Sequence, residues 1–185
     1  MAGDTENIRI WETGDVYVGD VGTPAPADVE SALDAGWEPL GVLHEDGLTE
    51  GYDADETEHW TWNAGLGRKT VNHEVHSKKV IALEDTDLVW QLLHPGSTSE
   101  ESGGITTRTT KRHVNSRKAF LFEKTDGTVI SRKVFPNGEA FQDGEVTSNG
   151  QDMAGFPLMV VAYEDENGAY EIEVTNDVAA IPLGS

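Results

Sequence analysis

The chain has 185 residues, no cysteine, and 34 acidic against 13 basic residues, so its formal net charge is −21. The length fits one domain, and we expect a single domain over 1–185 with a flexible N-terminus at about 1–7. The lack of cysteine excludes a disulfide scaffold and a thiolate metal site. The acidity argues against a conventional nucleic-acid binder, which needs a basic face. No apolar run approaches the roughly 20 residues of a membrane helix, so we expect no membrane contact.

The N-terminal half predicts short strands separated by stiff or acidic segments. Residues 16–18 predict a strand, and the Pro/Ala run that follows predicts an extended linker. Residues 28–35 fit two helical turns that begin at an aspartate cap and end at a glycine. Residues 40–43 predict a second strand. The segment 45–58 is so rich in acid that we expect a mobile solvated loop or an exposed strand.

The rest of the chain predicts long strands and one clear helix. Residues 68–83 read as a long strand, and 86–93 as a helix with a capping residue in front and Pro-Gly behind. A flexible connector is expected at about 96–107. Two Gly-containing turns predict hairpins that join 117–124 to 128–135 and 156–164 to 169–175. The fold class is therefore mainly β: a sandwich or partly closed barrel with one flanking helix.

The basic residues are confined to one stretch of the chain. Twelve of the thirteen lie between Arg68 and Lys133, so the three successive parts 1–66, 67–133 and 134–185 carry −15, +4 and −10. Such a chain can present opposite charges on different surfaces, and copies of it can then stack end to end.

Two sets of charged residues are candidates for contact between copies. The strongest basic cluster consists of Arg108, Lys111, Arg112, Arg117 and Lys118. It predicts a contact with acids of a neighbouring copy, and a solvated strand face is an equally weighted interpretation. Reversal of Arg112 and Arg117 to Glu is expected to leave the monomer folded. The candidate acids for the other side of such a contact lie in the acidic segment 45–58: Asp53, Asp55 and Glu56.

Trp60 and Trp62 alternate with threonine, so both project from one face of an extended segment. They belong either to the core or to an interface, where tryptophan is enriched. A different class of function would use them as a sugar platform in a carbohydrate-binding or adhesin-like β-sandwich.

No pattern in the chain predicts catalysis or a cofactor. His73 and His76 point to opposite faces of a strand, which argues against a shared metal. No serine lies in a nucleophile elbow, and no cysteine is present to act as a nucleophile. With thirty-four carboxylates, acid–base pairs carry almost no information. We therefore expect a protein that is not an enzyme.

The order of several sequence phrases resembles a known family. Ala-Leu-Asp-Ala-Gly-Trp occupies 32–37, and Leu-Gly-Val-Leu-His-Glu-Asp-Gly-Leu-Thr-Glu occupies 40–50. A Trp-Asn stretch, a long strand, a short helix and a C-terminal strand pair follow. Over about 8–182 the chain resembles the major tail tube proteins of long, flexible-tailed bacteriophages (siphoviruses), especially those of actinobacterial hosts.

The resemblance implies a structural virion protein. In that family six copies form a ring whose inner strands join into one barrel, and the rings stack into a tail tube. The tube surrounds a tape-measure protein, meets tail terminator and tail-tip proteins, and later conducts genomic DNA without specific binding. The resemblance implies assembly in the host cytoplasm and residence in the virion tail. An acidic lumen fits this role, and Glu164, Glu171 and Glu173 are its candidate lining residues.

Overall fold

The computed structural model describes residues 8–177. The predicted flexible segment at 1–7 lies outside them. The elements are β1 (Thr13–Gly19), β2 (Glu38–Pro39), β3 (Thr49–Thr61), β4 (Gly65–Ala82), α1 (Asp87–Leu93), β5 (Thr98–Ser102), β6 (Ile105–Thr109), β7 (Lys118–Asp126), β8 (Val129–Gln142), β9 (Phe156–Ala162) and β10 (Ile172–Thr175). The mainly β prediction with a single flanking helix is confirmed.

Within residues 8–177, eight strands form one antiparallel sheet that does not close into a barrel. Its order is β2-β1-β7-β8-β9-β4-β3, with β10 beside β8, while β5 and β6 form a separate two-stranded sheet. The sheet is curved. Its concave face is identified by side chains of β3 and β4 that contact side chains of β7 and β8 across it. The fold is therefore sandwich-like.

The sheet is covered by apolar residues on both faces. The larger cluster fills the concave face, where Phe122 meets Phe135 edge-on at 5.5 Å. The smaller cluster lies on the opposite face and is built around Trp37, Leu121 and Val134. Because both faces of β7 are covered, 119–122 are buried without the alternation of a half-exposed strand.

Helix α1 closes the larger cluster from one side. The hydroxyl of Thr86 accepts a hydrogen bond from the Val89 N–H at 3.2 Å, which satisfies an otherwise free donor of the first turn. Val89 and Leu92 are buried in the cluster. The predicted helix at 86–93 is confirmed.

The predicted helix at 28–35 is wrong, because this segment is irregular. Arg132 on β8 donates to the carbonyls of Asp28 and Ser31, both at 2.9 Å, and so occupies acceptors that a helix would use. The Trp37 indole donates to the Pro24 carbonyl at 3.0 Å and fixes the chain over the smaller cluster. Tertiary contacts thus override a local helical preference. The predicted strand at 40–43 is also reduced, to a single bridge from Leu43 to Ala82.

The two predicted mobile segments contain regular structure. Most of 45–58 belongs to β3, so the exposed-strand interpretation holds there and the loop interpretation is wrong. The segment 96–107 contains β5 and most of β6, which pair as a hairpin. Their mobility in solution stays a prediction.

One predicted hairpin is confirmed and the other is wrong. β7 and β8 pair up to Asp126 and Val129, and Gly127 takes a φ of +58° in the turn between them. β9 and β10 do not pair with each other. Each pairs with a different part of one edge of β8, which is long enough at 14 residues to hold them in succession. The turn around Asp165 therefore redirects the chain along that edge.

Candidate functional site

A long two-stranded ribbon projects from the sheet, and we call it the arm (51–76). β4 pairs with β9 only over 77–82, so the remainder of β4 pairs with β3 alone. β3 is the last strand in the order of the sheet. At about 3.3 Å per residue, the arm extends about 33 Å from its root.

The arm has an exposed apolar surface. Trp62 in the turn is fully exposed, and Trp60 is exposed by 68%. The other exposed large apolar side chains of the arm are Tyr52, Leu66, Val71 and Val75. An isolated two-stranded ribbon is marginally stable in water. A ribbon with this much apolar surface is therefore suited to a partner outside its own chain.

The predicted contact residues of the acidic segment all lie on this arm. Asp53, Asp55 and Glu56 are on β3, and Glu56 forms an ion pair with Lys69 of β4. Trp60 and Trp62 lie near and in the turn, so their core interpretation is wrong and they are surface residues. All five predicted contact residues therefore lie on one ribbon that projects from the sheet, which the sequence alone did not show.

A cluster of charges holds the root of the arm to the sheet. Glu50 accepts hydrogen bonds from Lys78 at 3.0 Å, Lys124 at 2.6 Å and Lys133 at 2.7 Å. Glu171 adds a second carboxylate, 2.7 Å from Lys78. Five stretches of chain meet here, because these residues come from β3, β4, β7, β8 and the connection before β10.

The lysines determine the ionisation of this root cluster. Burial on its own would raise the pKa of Glu50, but the hydrogen bonds from the three lysines lower that pKa from 4.5 to about 2. Burial would lower the pKa of Lys133, yet Glu50 and Glu171 raise it. Lys78 is only 2% exposed, and its ammonium also lies 5.0 Å from the Phe135 ring centre. The root cluster is thus a network of ion pairs at the edge of the apolar core.

Sequence reasoning missed this cluster. The sequence contains one indication of the root cluster: Lys78 shares the inward face of β4 with Val80 and Ala82. A lysine in an apolar alternation implies a buried carboxylate partner, because an unpaired buried ammonium is strongly unfavourable. The sequence does not say which of its carboxylates approaches.

The predicted basic cluster is dispersed, and three of its members already have partners. Arg108 pairs with Asp85 at 2.6 Å and with Asp87 at 3.1 Å. Lys118 pairs with Asp20 at 2.7 Å. Over residues 8–177, only Arg68, Lys111 and Arg112 among the lysines and arginines have no ion pair.

Arg117 is part of the folded monomer. It lies over the Tyr163 ring and 3.7 Å from Glu139, which is 1% exposed and also accepts a hydrogen bond from the Ser116 N–H. Glutamate at position 117 would place a second carboxylate beside a buried one. The expectation that the Arg112 and Arg117 reversal leaves the monomer folded is therefore revised: Lys111 replaces Arg117 in that test.

The predicted lumen acids differ in their surroundings. Glu171 belongs to the root cluster. Glu173 on β10 is exposed and accepts from the Ser131 hydroxyl at 2.8 Å, while Glu164 accepts from the Tyr170 hydroxyl at 3.1 Å. Of the three, only Glu171 forms an ion pair with a lysine in residues 8–177. Their assignment to a lumen stays a prediction.

The histidines of β4 form no metal site. His76 packs between the rings of Tyr52 and Tyr170, at centroid distances of 5.1 and 4.9 Å. No group of three or more potential metal ligands occurs in the part of the chain that the structure describes. Within the same residues, no helix has the length and apolar character needed to cross a membrane.

The sequence matches one family model over almost its whole length. That model is described as phage tail tube protein, and the match covers residues 1–182. A comparison with curated proteins finds no match.

Proposed function

Because the chain belongs to the phage tail tube protein family, we propose that six copies close into a ring and that rings stack into the tube that conducts the phage genome. The family is a structural one and not an enzyme family, so the protein is a component of the virion tail. Self-assembly into a tube is the activity of such a protein.

The observation that carries the proposal is the arm. It extends beyond the sheet, its two strands pair only with each other over residues 51–76, and it exposes two tryptophans near its turn. A free subunit therefore exposes apolar surface that association with further copies would bury. We propose that the arm makes the contact between rings.

The open edge of the sheet supports closure of a ring. β3 is exposed along nearly all of its 13 residues, and its outer backbone groups have no strand partner in residues 8–177. A long free edge readily pairs with another chain. Joining such edges around a ring would give the inner strands of six copies one continuous barrel.

The pairing of basic side chains with carboxylates supports a tube lumen that does not bind DNA. Each lysine or arginine that contacts phosphate adds to nucleic-acid affinity through counterion release. Here nearly all basic side chains are occupied by carboxylates of the same chain, and the net charge is −21. We propose that exposed acids such as Glu164 and Glu173 face the lumen, so that phosphate passes a repelling wall.

The proposal also covers the partners and the course of assembly. The tube encloses a tape-measure protein, ends at tail terminator and tail-tip proteins, and is built in the host cytoplasm. The phage is a long-tailed siphovirus of an actinobacterial host. Stacking of identical rings is a head-to-tail association, the class of contact that produces filaments.

Negative-stain microscopy of concentrated full-length protein tests the central claim. We expect rings or tubes, with a yield that depends on salt concentration because screening weakens contacts between opposite charges. A protein that stays monomeric at high concentration, across salt conditions and with tail initiator present, contradicts the proposal.

A further inference from the structure

A second surface feature lies at the root of the arm, and we call it the N-terminal cavity. It is an open cavity of about 650 Å³ between β1, the loop at 41–48 and the end of β7. Trp11 and Val42 are among the apolar residues that line it, and both are exposed. Its volume lies in the range of roughly 300–1,000 Å³ that is typical of pockets for small groups.

Acids outnumber bases among the residues that line the cavity. Glu12, Asp15 and Glu45 line it, and none of them forms an ion pair with any residue in 8–177. The one lysine that lines it, Lys124, is bound to Glu50, and its ammonium lies 4.8 Å from the Trp11 ring centre. An apolar side chain next to a positive charge would complement this cavity.

The arm tip (59–69) has that composition. Trp60, Trp62 and Leu66 are exposed there, and Arg68 and Lys69 are its only charged residues apart from a histidine. Lys69 is paired with Glu56, but Arg68 has no ion pair in the described chain. The tip is therefore apolar and positive, in contrast to the acidic strand that supports it.

The tip cannot reach the cavity of its own chain. β3 begins directly after the cavity-lining Leu48, and its pairing with β4 runs from Thr49 and Lys79 to Thr61 and Gly65. The 13 residues of β3 therefore hold the tip about 40 Å from the cavity.

We propose, building on the tube function above, that the arm tip of one copy docks into the N-terminal cavity of another copy. The other two cavities fit worse. One of 560 Å³ has Glu145 as its acid without an ion pair in residues 8–177, and one of 210 Å³ has Glu38, whereas the N-terminal cavity has three such acids. Docking would bury tryptophan, whose side chain covers about 150–250 Å². Copies joined in this way are displaced by the length of β3, about 40 Å.

Cross-linking tests the contact directly, because the natural chain has no cysteine. Asn63→Cys in the tip and Val42→Cys in the cavity are combined, tubes are assembled, and a short bis-maleimide is added. We expect a ladder of covalent multimers. The control pair is Asn63→Cys with Ile105→Cys, since Ile105 is exposed but lies on the β5–β6 hairpin, and it should stay monomeric. Tubes without a ladder, or equal ladders from both pairs, overturn the docking.

Charge exchange tests the electrostatic part. Arg68→Glu should raise the concentration needed for half-assembly about tenfold, or more. Adding Glu12→Arg, Asp15→Arg or Glu45→Arg singly should restore assembly to within about threefold for at least one of them. Glu100→Arg on β5 makes the same charge change away from the cavity and should not restore it. Docking is wrong if none of the three restores assembly, or if Glu100→Arg restores it equally.

Failure of the docking is distinguishable from failure of the tube function. If the unaltered chain builds no tubes, the function proposed above is wrong. If it does, a cryo-EM map decides the docking without any substitution. Trp62 beside Val42 of a copy about 40 Å away supports it, and Trp62 against any other surface overturns it.

Discussion

At the scale of single residues, the most unusual feature is Lys78, a lysine that is 2% exposed at the edge of an apolar core. Its charge is tolerated because Glu50 and Glu171 both lie within 3.0 Å. A buried ion pair seldom exceeds a well-packed apolar pair in stability, but loss of one partner is strongly destabilising. Glu50 also binds Lys124 and Lys133, so one carboxylate ties β3 to three other strands.

We therefore predict a specific effect of acid on Glu50. Its pKa in the folded protein is about 2, below its ordinary value of 4.5. The stability that it supplies is complete above about pH 5 and is lost as the pH falls toward 2. Since 36% of its side chain is exposed, we expect about 1–2 kcal/mol rather than the full linkage energy.

Urea unfolding of dilute monomer measures this effect. Glu50→Gln should lower the free energy of unfolding at pH 7 by about 1–2 kcal/mol, and the difference from the unaltered chain should disappear near pH 2. Glu45→Gln is the matched control, because Glu45 is exposed and forms no ion pair in the described chain, and it should change little. A Glu50→Gln difference that is independent of pH contradicts the assignment.

At the scale of elements, the arm differs from the rest of the sheet in how its strands are paired and buried. β7 is paired on both sides and buried on both faces, whereas β3 is paired on one side and exposed on both. Local opening of a strand becomes easier as its packed contacts decrease. The arm should accordingly be the least stable part of the main sheet in a free subunit, with the root cluster marking its boundary.

Hydrogen exchange tests this contrast. In monomeric protein, backbone amides of the arm should exchange at least about a hundredfold faster than those of β7, since sub-global opening needs less free energy than global unfolding. After assembly, arm amides should slow markedly while those of β7 change little. Arm amides in the monomer that are as protected as 120–122 contradict this prediction.

At the scale of the whole molecule, folding pairs most of the basic residues of the middle part with acids of the two outer parts. Bases from the middle part reach acids of the N-terminal part, as in Lys118 with Asp20, and of the C-terminal part, as in Lys78 with Glu171. The surface that remains is strongly acidic, with Arg68, Lys111 and Arg112 as its unpaired cations within 8–177. Repulsion between free subunits is a consequence of this charge.

Reversal of the two neighbouring unpaired cations tests their role between copies. Lys111→Glu with Arg112→Glu should change the free energy of unfolding by less than about 0.5 kcal/mol and strongly reduce tube yield in micrographs. Arg117→Glu serves as the contrast, since it should lower monomer stability by about 2–3 kcal/mol beside the buried Glu139. Normal tubes from the Lys111 and Arg112 variant remove these two residues from the assembly contact.

The sequence by itself determined the features that depend on near neighbours. Thr86 caps a helix through an N–H three residues away, and the Asp126-Gly127 turn closes a hairpin between adjacent strands. The tail tube resemblance also came from local phrases, and the family match confirms it. The paired tryptophans were identified as interface candidates, although their exposure was left open.

Only the tertiary structure decided the features that depend on distant partners. Arg132 keeps 28–35 irregular from 104 positions away, and β8 separates β9 from β10 by pairing with both. The root cluster joins Glu50 to Lys133 across 83 positions. The physical reason is the same in each case. Hydrogen bonds and ion pairs form with whichever group the fold brings within about 3 Å, and local preferences of a fraction of a kcal/mol per residue do not specify that partner.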